Sequence, residues 1–380
     1  MRRVLLFRTE LLPLSETFIA AQAAALRRFA PVFAGLQRML SGIHLDDAHL
    51  ILLTRSDGLW DKAKRRFWLR SGNNSSFFRK IETANPALIH AHFAVDAAVA
   101  LPLQRQLGVP LIVTLHGYDV TSSDEALSGG VTGRVYLRRR HELFRQASLF
   151  LCVSEHIRRK AVERGFPEGK LRTHRIGVDL STFSFDPEAG REPVVLFVGR
   201  LIEKKGCSDL ILAMAHVQAA NRSVRLVILG DGPLRGDLEA QARRALRNVT
   251  FLGSQPSAVV REWMGRARLL AAPSIVAVNG DSEGLPIVLC EAQAMGLPIT
   301  GYRGPGVSEA VADGESGLLA NMGDIRGLTE AITALLRDDR LAAEMGLAGR
   351  RRAESCFDLT KQTARLEEMY AAVLQERAAE

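Results

Sequence analysis

"VVLFVGRLIEKKG", residues 194–206, opens with five consecutive apolar side chains and ends in a glycine after a cluster of charges. The run shows no period-2 alternation, so a strand formed here is buried on both faces. Such strands belong to parallel sheets covered by helices on each side. The segment that follows, from about Cys207, reads as a helix, so 194–206 is a strand, its exit loop and the entry to a helix. Arg200 and Lys205 sit five residues apart in that loop.

The same unit recurs along the chain. Candidate strands before it are "RVLLFR" (3–8), "PVFAGL" (31–36), "LILLTR" (50–55), "LIHAHF" (88–93), "LIVTLH" (111–116), "LFLCVS" (149–154) and "THRIG" (173–177). Those after it are "RLVILG" (225–230), "VTFLG" (249–253), "RLLAAPS" (268–274), "PIT" (298–300) and "GLLA" (317–320). Helical stretches separate most of them, which predicts an α/β protein with doubly wound sheets. At 380 residues the prior is two domains. The segment "GVDLSTFSFDPEAGREP" (177–193), rich in turn formers, reads as the linker between two Rossmann-like domains. The expected division is 1–180, 181–355 and a terminal helical segment 356–380. Ligands of such sheets bind at the carboxyl ends of the strands, here expected in a cleft between the domains.

Composition narrows the classes. At 47% hydrophobic and 24% charged, the chain suits a globular protein with a sizeable core. The four cysteines are widely spaced and suggest reduced thiols in a cytoplasmic protein. The N-terminal apolar run stops at Arg8, which does not suit a signal peptide. Residues 1–185 hold 27 Lys and Arg against 16 Asp and Glu, whereas the rest holds 23 against 26. Two basic stretches, "KAKRRFWLR" (62–70) and "RVYLRRRHELFR" (134–145), are either solvated helix faces or a surface for anionic lipid. No nucleic-acid recognition motif is visible.

Several motifs carry chemistry. Arg200 and Lys205 can hold a diphosphate, the first as a fork and the second as a point charge, or they form an ordinary basic surface loop. In "DSEGLPIVLCEAQAMGLP" (281–298), Gly284 and Pro286 suit the entry to a helix. The N–H groups near Leu285 and Ile287 then make an anion site. Glu291 lies about 7.5 Å along the axis from Pro286, with a side chain that tilts back toward the helix start. It is placed to meet a ribose beside a bound phosphate, or else forms a structural salt bridge. Glu283 precedes the helix and would face the group beyond the phosphates. "LGDGPLRG" (229–236) reads as a tight turn opening a helix rather than as a dinucleotide fingerprint.

In the first half, His116 ends a strand and precedes Gly117 and Asp119, which makes His116 a site candidate. His90 and His92 point to one side of their strand, and His90 is read as structural. Ser15 is expected to cap the first helix, and with Glu16 it lies in the first strand-to-helix loop. The chain has no Asp-x-Asp motif, so no carboxylate-held metal is expected.

Together these residues resemble the retaining glycosyltransferases of family 4, of the GT-B class. The similarity is carried by "VGRLIEKKG", "LGDGP", "FLG", "SEGLPIVLCEAQAMGLP" and "GVSEAVADGESGLL", with Glu283 and Glu291 as an E-x7-E signature. The resemblance implies two facing Rossmann-like domains and a C-terminal helix that crosses back to the first. It implies a nucleoside diphosphate sugar as co-substrate, UDP- or GDP-linked, with no cofactor and no metal. Arg200 and Lys205 would bind the donor diphosphate and Glu291 the ribose, with Gly199 and Gly230 also in the donor site. Backbone near Phe251 and Gly253 would meet the base. Glu283, Gly284, Leu285 and Pro286 would contact phosphate and sugar, and His116 would approach the transferred sugar.

"LSETFI", "IHAHFA" and "TLHGYDV" are similar to enzymes of bacterial exopolysaccharide assembly. That implies a polyprenyl-diphosphate-linked glycan acceptor at the inner membrane face, with Ser15, Glu16, His92 and Asp119 as acceptor-side candidates. The loop "TELLPLSE" departs from the Gly-Gly turn of many members. A nucleotide-sugar epimerase of the same architecture and a non-catalytic sugar-nucleotide-binding subunit are the alternative readings.

Overall fold

The computed structural model describes residues 1–39, 42–43, 45–46, 49–188 and 190–379. The apolar runs form strands that pair in parallel throughout. In the first half these are β1 (Arg2–Phe7), β2 (Phe29–Gly35), β3 (Leu50–Leu52), β4 (Pro86–His92), β5 (Leu111–Leu115), β6 (Leu149–Cys152) and β7 (Leu171–Thr173). In the second they are β8 (Val194–Val198), β9 (Arg225–Leu229), β10 (Val249–Gly253), β11 (Leu269–Ala272), β12 (Ile299–Arg303) and β13 (Gly317–Asn321).

The chain divides into two compact units: Met1–Gly177 with Leu359–Glu380, and Val178–Asp358. The first holds a seven-stranded sheet in the order β3-β2-β1-β4-β5-β6-β7, the second a six-stranded sheet in the order β10-β9-β8-β11-β12-β13. Both orders reverse direction at the first strand, the doubly wound arrangement that places the loops after the central strands around one crevice.

Burial explains the pattern. In the second unit Val195, Phe197, Leu226 and Ile228 face Leu210 and Met214 on the helix Cys207–Ala220. Leu328 and Ile332 of the helix Ile325–Arg337 complete that core. The intervening Leu196, Val227 and Leu270 are buried as well, so both faces of the sheet are covered. Each such side chain contributes about 1.5–3 kcal/mol.

Three expectations shift. "THRIG" is a strand only through Thr173: His174 turns away so that its Nε2 meets the carbonyl of Gln362 at 2.9 Å. "PIT" begins a longer strand that runs to Arg303. The described residues of the segment 177–193 form no helix or strand, yet the segment is no free linker, because Phe185 covers Gly296 and Arg350 Nη1 donates to the carbonyl of Phe183 at 3.2 Å. A two-residue pairing of Glu10–Leu11 with Gln37–Arg38, unforeseen in the sequence, braces the first loop.

The last helix, Leu359–Ala379, packs on the first unit, with Leu366, Tyr370 and Val373 in its core. Glu367 is buried there and accepts the N–H groups of Arg27, Arg28 and Phe29 at 2.9, 2.6 and 3.1 Å. Removing that carboxylate strands three donors. Glu367→Ala is expected to destabilise the first unit by about 2–4 kcal/mol. Urea unfolding followed by circular dichroism checks this, and an unchanged midpoint would contradict it.

Candidate functional site

The loop after β8 turns at Gly199, and the stem of Lys205 lies against it, with Cδ and Cε 3.5 Å from the position a Cβ would take. Gly230, at the end of β9, has φ 144° and approaches Gly199 so closely that a Cβ would stand 1.8 Å from its carbonyl oxygen. The N–H of Gly230 donates to the carbonyl of Gly253 at 2.8 Å. The loops at the carboxyl ends of β8, β9 and β10 are thereby tied together, and Phe251 stands half-buried on β10 beside them. Gly199, Gly230, Phe251 and Gly253 therefore share one edge of the second sheet.

Lys205 Nζ pairs with Glu283 Oε1 at 2.6 Å. Glu283 is buried and also accepts from Ser274 Oγ at 3.4 Å. Burial alone would raise its pKa, but Lys205 and Lys204 together pull it below the ordinary carboxylate range. A second pair joins the same two loops: Lys204 Nζ meets Asp281 at 2.9 Å, and the carbonyl of Lys204 accepts the N–H of Ile275 at 2.8 Å. Sequence reading missed this latch, since "EKK" shows two lysines without showing which carboxylate each finds. Arg200 is exposed, with no ion pair or side-chain hydrogen bond among the described residues. Its guanidinium is available to an external anion.

The helix at this site runs Ile287–Ala294, with Pro286 just before its first turn and Leu285 buried. Gly306, at φ 69°, lets its backbone close on the carbonyls of Glu283 and Gly284, where a Cβ would stand 2.8 Å from each oxygen. The first-turn N–H groups of any helix lack intrahelical partners, and the dipole favours an anion there.

The side chain of Glu291, five residues past Pro286, has no hydrogen bond or ion pair among the described residues, which removes the structural salt bridge. Desolvation raises its pKa to about 7. An acid placed so, and left without a partner, suits a ligand that brings hydroxyl donors.

In the first unit the candidates sort differently. His116 follows β5 and is half-buried, with its ring tilted against Phe18 and Phe93. Its Nε2 lies 3.0 Å from Nδ1 of His92. Burial, reinforced by the Arg8 charge, holds the His116 pKa well below the usual value, so the ring is neutral at pH 7. His92 is itself buried behind His116, which corrects its assignment as an acceptor contact.

Asp119 is corrected likewise: it is buried and accepts the N–H groups of Ala94, Gly117 and His116 at 2.8, 3.0 and 3.3 Å. It organises the loop rather than facing a ligand. Desolvation raises its pKa to about 6 against those hydrogen bonds. His90 is structural, between Tyr370 Oη at 2.6 Å and Thr114 Oγ1 at 2.7 Å.

Ser15 does not cap a helix. A 3₁₀ turn, Leu14–Glu16, precedes the helix Thr17–Ala24, neither start has a side-chain cap, and Ser15 is exposed. Glu16 instead pairs with Arg8, at 2.9 Å to Nε and 2.5 Å to Nη2. Arg8 also pairs with Asp96, and its guanidinium lies 4.4 Å from the centre of the Phe93 ring. Asp96 accepts in addition from Thr9 N and Oγ1, at 3.0 and 2.6 Å. Sequence reading passed over Arg8 and Asp96. The available signal was a cation directly after a buried strand.

Among the described residues no group of three His, Cys, Asp or Glu side chains could hold a metal ion, and no helix is long and apolar enough to cross a membrane.

Comparison with known proteins adds a second line of observation. A model of "Glycosyltransferase Family 4" matches residues 37–182, and one of "Glycosyl transferases group 1" matches residues 182–352. A putative colanic acid biosynthesis glycosyltransferase, WcaL of Escherichia coli K12, is 33% identical over 261 residues, 66% of this chain and 62% of that protein. This chain thus aligns with less than two thirds of that relative's length. A GDP-mannose-dependent alpha-(1-6)-phosphatidylinositol monomannoside mannosyltransferase of Mycolicibacterium smegmatis is 32% identical, over 73% of this chain and 75% of that protein. Among solved structures, Anabaena Alr3699/HepE in complex with UDP and glucose superposes with a TM-score of 0.77. It covers 98% of this chain and 100% of that one, and at 21% identity the likeness is one of fold.

The Glu291 carboxyl gives a test independent of any ligand. Its folded pKa of about 7 exceeds the unfolded value near 4.5, so the folded state holds more protons between those values. Stability therefore falls as pH rises through that window. Glu291→Gln is expected to lose this fall and to unfold at higher urea than the native chain at pH 8. The advantage should shrink toward pH 5, and a pH-independent difference would contradict the assignment.

Proposed function

Because the chain belongs to the family 4 glycosyltransferases and has the GT-B fold, we propose that it moves a sugar from a nucleoside diphosphate donor, UDP- or GDP-linked, to a lipid-linked oligosaccharide, with the anomeric configuration kept. The observation that carries this reading is the pairing state of the second unit. Lys205 is held by Glu283, while Arg200 is exposed and Glu291 is unpaired beside a helix start. In this reading Arg200, Lys205 and the N–H groups near Leu285 meet the diphosphate. Glu291 accepts from the ribose hydroxyls, and backbone near Phe251 and Gly253 meets the base.

Charge develops on the departing phosphate oxygen as the bond to the sugar breaks. The fixed cations and the helix start stabilise it without a metal. The acceptor hydroxyl enters on the same face and passes its proton to that oxygen. Glu283 is tied to Lys205 and Ser274, so no step uses it as a nucleophile. Neutral His116 offers the sugar a hydrogen bond rather than a charge.

Lys205→Ala is expected to lose about 2–4 kcal/mol of transition-state stabilisation, a fall in kcat of roughly 30- to 800-fold. Native turnover is expected to persist in EDTA. Near-normal kcat in the variant, or complete loss on chelation, would overturn the assignment. Epimer formed from donor alone would favour the epimerase reading.

The lipid-linked acceptor places the enzyme at the inner membrane face, through its basic first unit. What supports this is the helix Leu59–Ser71, where exposed Leu59, Trp60 and Phe67 stand among Lys62, Lys64, Arg66 and Arg70. Exposed aromatics between cations suit anionic headgroups. The chain is expected to co-sediment with phosphatidylglycerol vesicles and to release on Trp60→Ala with Phe67→Ala. Equal binding by the double variant would contradict this surface.

A further inference from the structure

His92 closes β4 and His116 follows β5, adjacent parallel strands in the first unit. The two rings lie nearly parallel, 25° apart, with His92 Nδ1 and His116 Nε2 3.0 Å from each other. Both rings are held neutral, chiefly by burial, with neighbouring positive groups adding to the effect. A neutral imidazole carries one N–H, so one of these two nitrogens donates and the other accepts.

The other nitrogen of His92 decides which. Nε2 is buried and has no hydrogen-bond partner among the described residues. If His116 donated, His92 would have to carry its proton on Nε2, as a buried N–H with no acceptor. If His92 donates through Nδ1, its Nε2 is a bare acceptor instead. Buried N–H groups without partners are the rarer of the two states in folded proteins. His92 then donates, His116 accepts at Nε2, and the His116 proton sits on Nδ1. That nitrogen has no hydrogen bond among the described residues, and its ring is only half-buried.

We propose that His92 is a positioning residue that fixes His116 as the Nδ1–H tautomer, so that His116 presents its ligand with a donor and not an acceptor. His90 fixes the other side of the stack. It is clamped between Tyr370 and Thr114, and its ring centre lies 4.4 Å from that of His92. The ligand in this role is a sugar hydroxyl or ring oxygen, a part of the inference that rests on the glycosyltransferase reading. The tautomer does not rest on it.

The test is ¹⁵N NMR of the full chain with labelled histidine rings, with His116→Ala identifying the His116 signals. The expected result is the shift pair of a neutral ring protonated at Nδ1, and an Nε2–H ring overturns the proposal. His92→Asn keeps a donor where Nδ1 stood and should keep that pattern, whereas His92→Leu should lose it. Loss in both variants, or in neither, also overturns it. If Leu does not fold, the native and Asn spectra carry the test. In donor-turnover assays His92→Leu should lower kcat roughly tenfold with little change in donor KM, as for other partners that orient a working histidine, and Asn should restore it. A folded chain without any transfer, but with the expected tautomer, would sink the functional reading and leave the positioning role intact.

Discussion

Parallel pairing of strands buried on both faces is the constraint on which the rest of this molecule depends. Such a sheet admits no hairpins, so each strand must be followed by a crossover, and every exit loop is delivered to the same edge. In the second unit that edge collects the loops carrying Gly199, Arg200, Lys205, Gly230 and Gly253. In the first it collects Arg8, His92 and His116. Residues far apart in sequence become neighbours because of strand direction, before any specific contact is made.

Ion pairs then set the chemistry of each edge. In the second unit the Lys205–Glu283 and Lys204–Asp281 pairs fasten the loop after β8 to the loop before the helix Ile287–Ala294. Pairs this poorly solvated are weak sources of net stability, but breaking one leaves a buried charge, so they hold geometry firmly. In the first unit Arg8 does comparable work with Glu16 and Asp96: burial opposes its charge, and the two carboxylates more than offset that. In the second unit the Glu291 carboxyl meets no such cation, and desolvation accordingly raises its pKa to about 7.

Much of this was legible in the sequence. The unbroken apolar runs gave away parallel strands, because both faces of the central ones are covered. The order of loop residues, with Arg200 and Lys205 after one strand and Glu283 and Glu291 around one helix start, followed from where the runs end. Errors arose where a tertiary partner overrode a local signal. Ser15 has the chemistry of a cap, but a 3₁₀ turn intervenes and Glu16 turns to Arg8. Asp119 and His92 have the chemistry of ligand contacts, but each is sealed by neighbours from another strand or loop.

By itself the sequence determined the alternation of strand and helix, the glycine turns that let loops close together, and the motif residues that mark the family. Tertiary structure alone decided which titratable groups are paired, buried or free. Glu16, Glu283 and Glu291 are one residue type in three states, because their partners come from distant elements or do not come at all. Periodicity reports which face of an element is buried. It holds no record of which charge arrives from the neighbouring loop, and that arrival separates a structural carboxylate from one kept for a ligand.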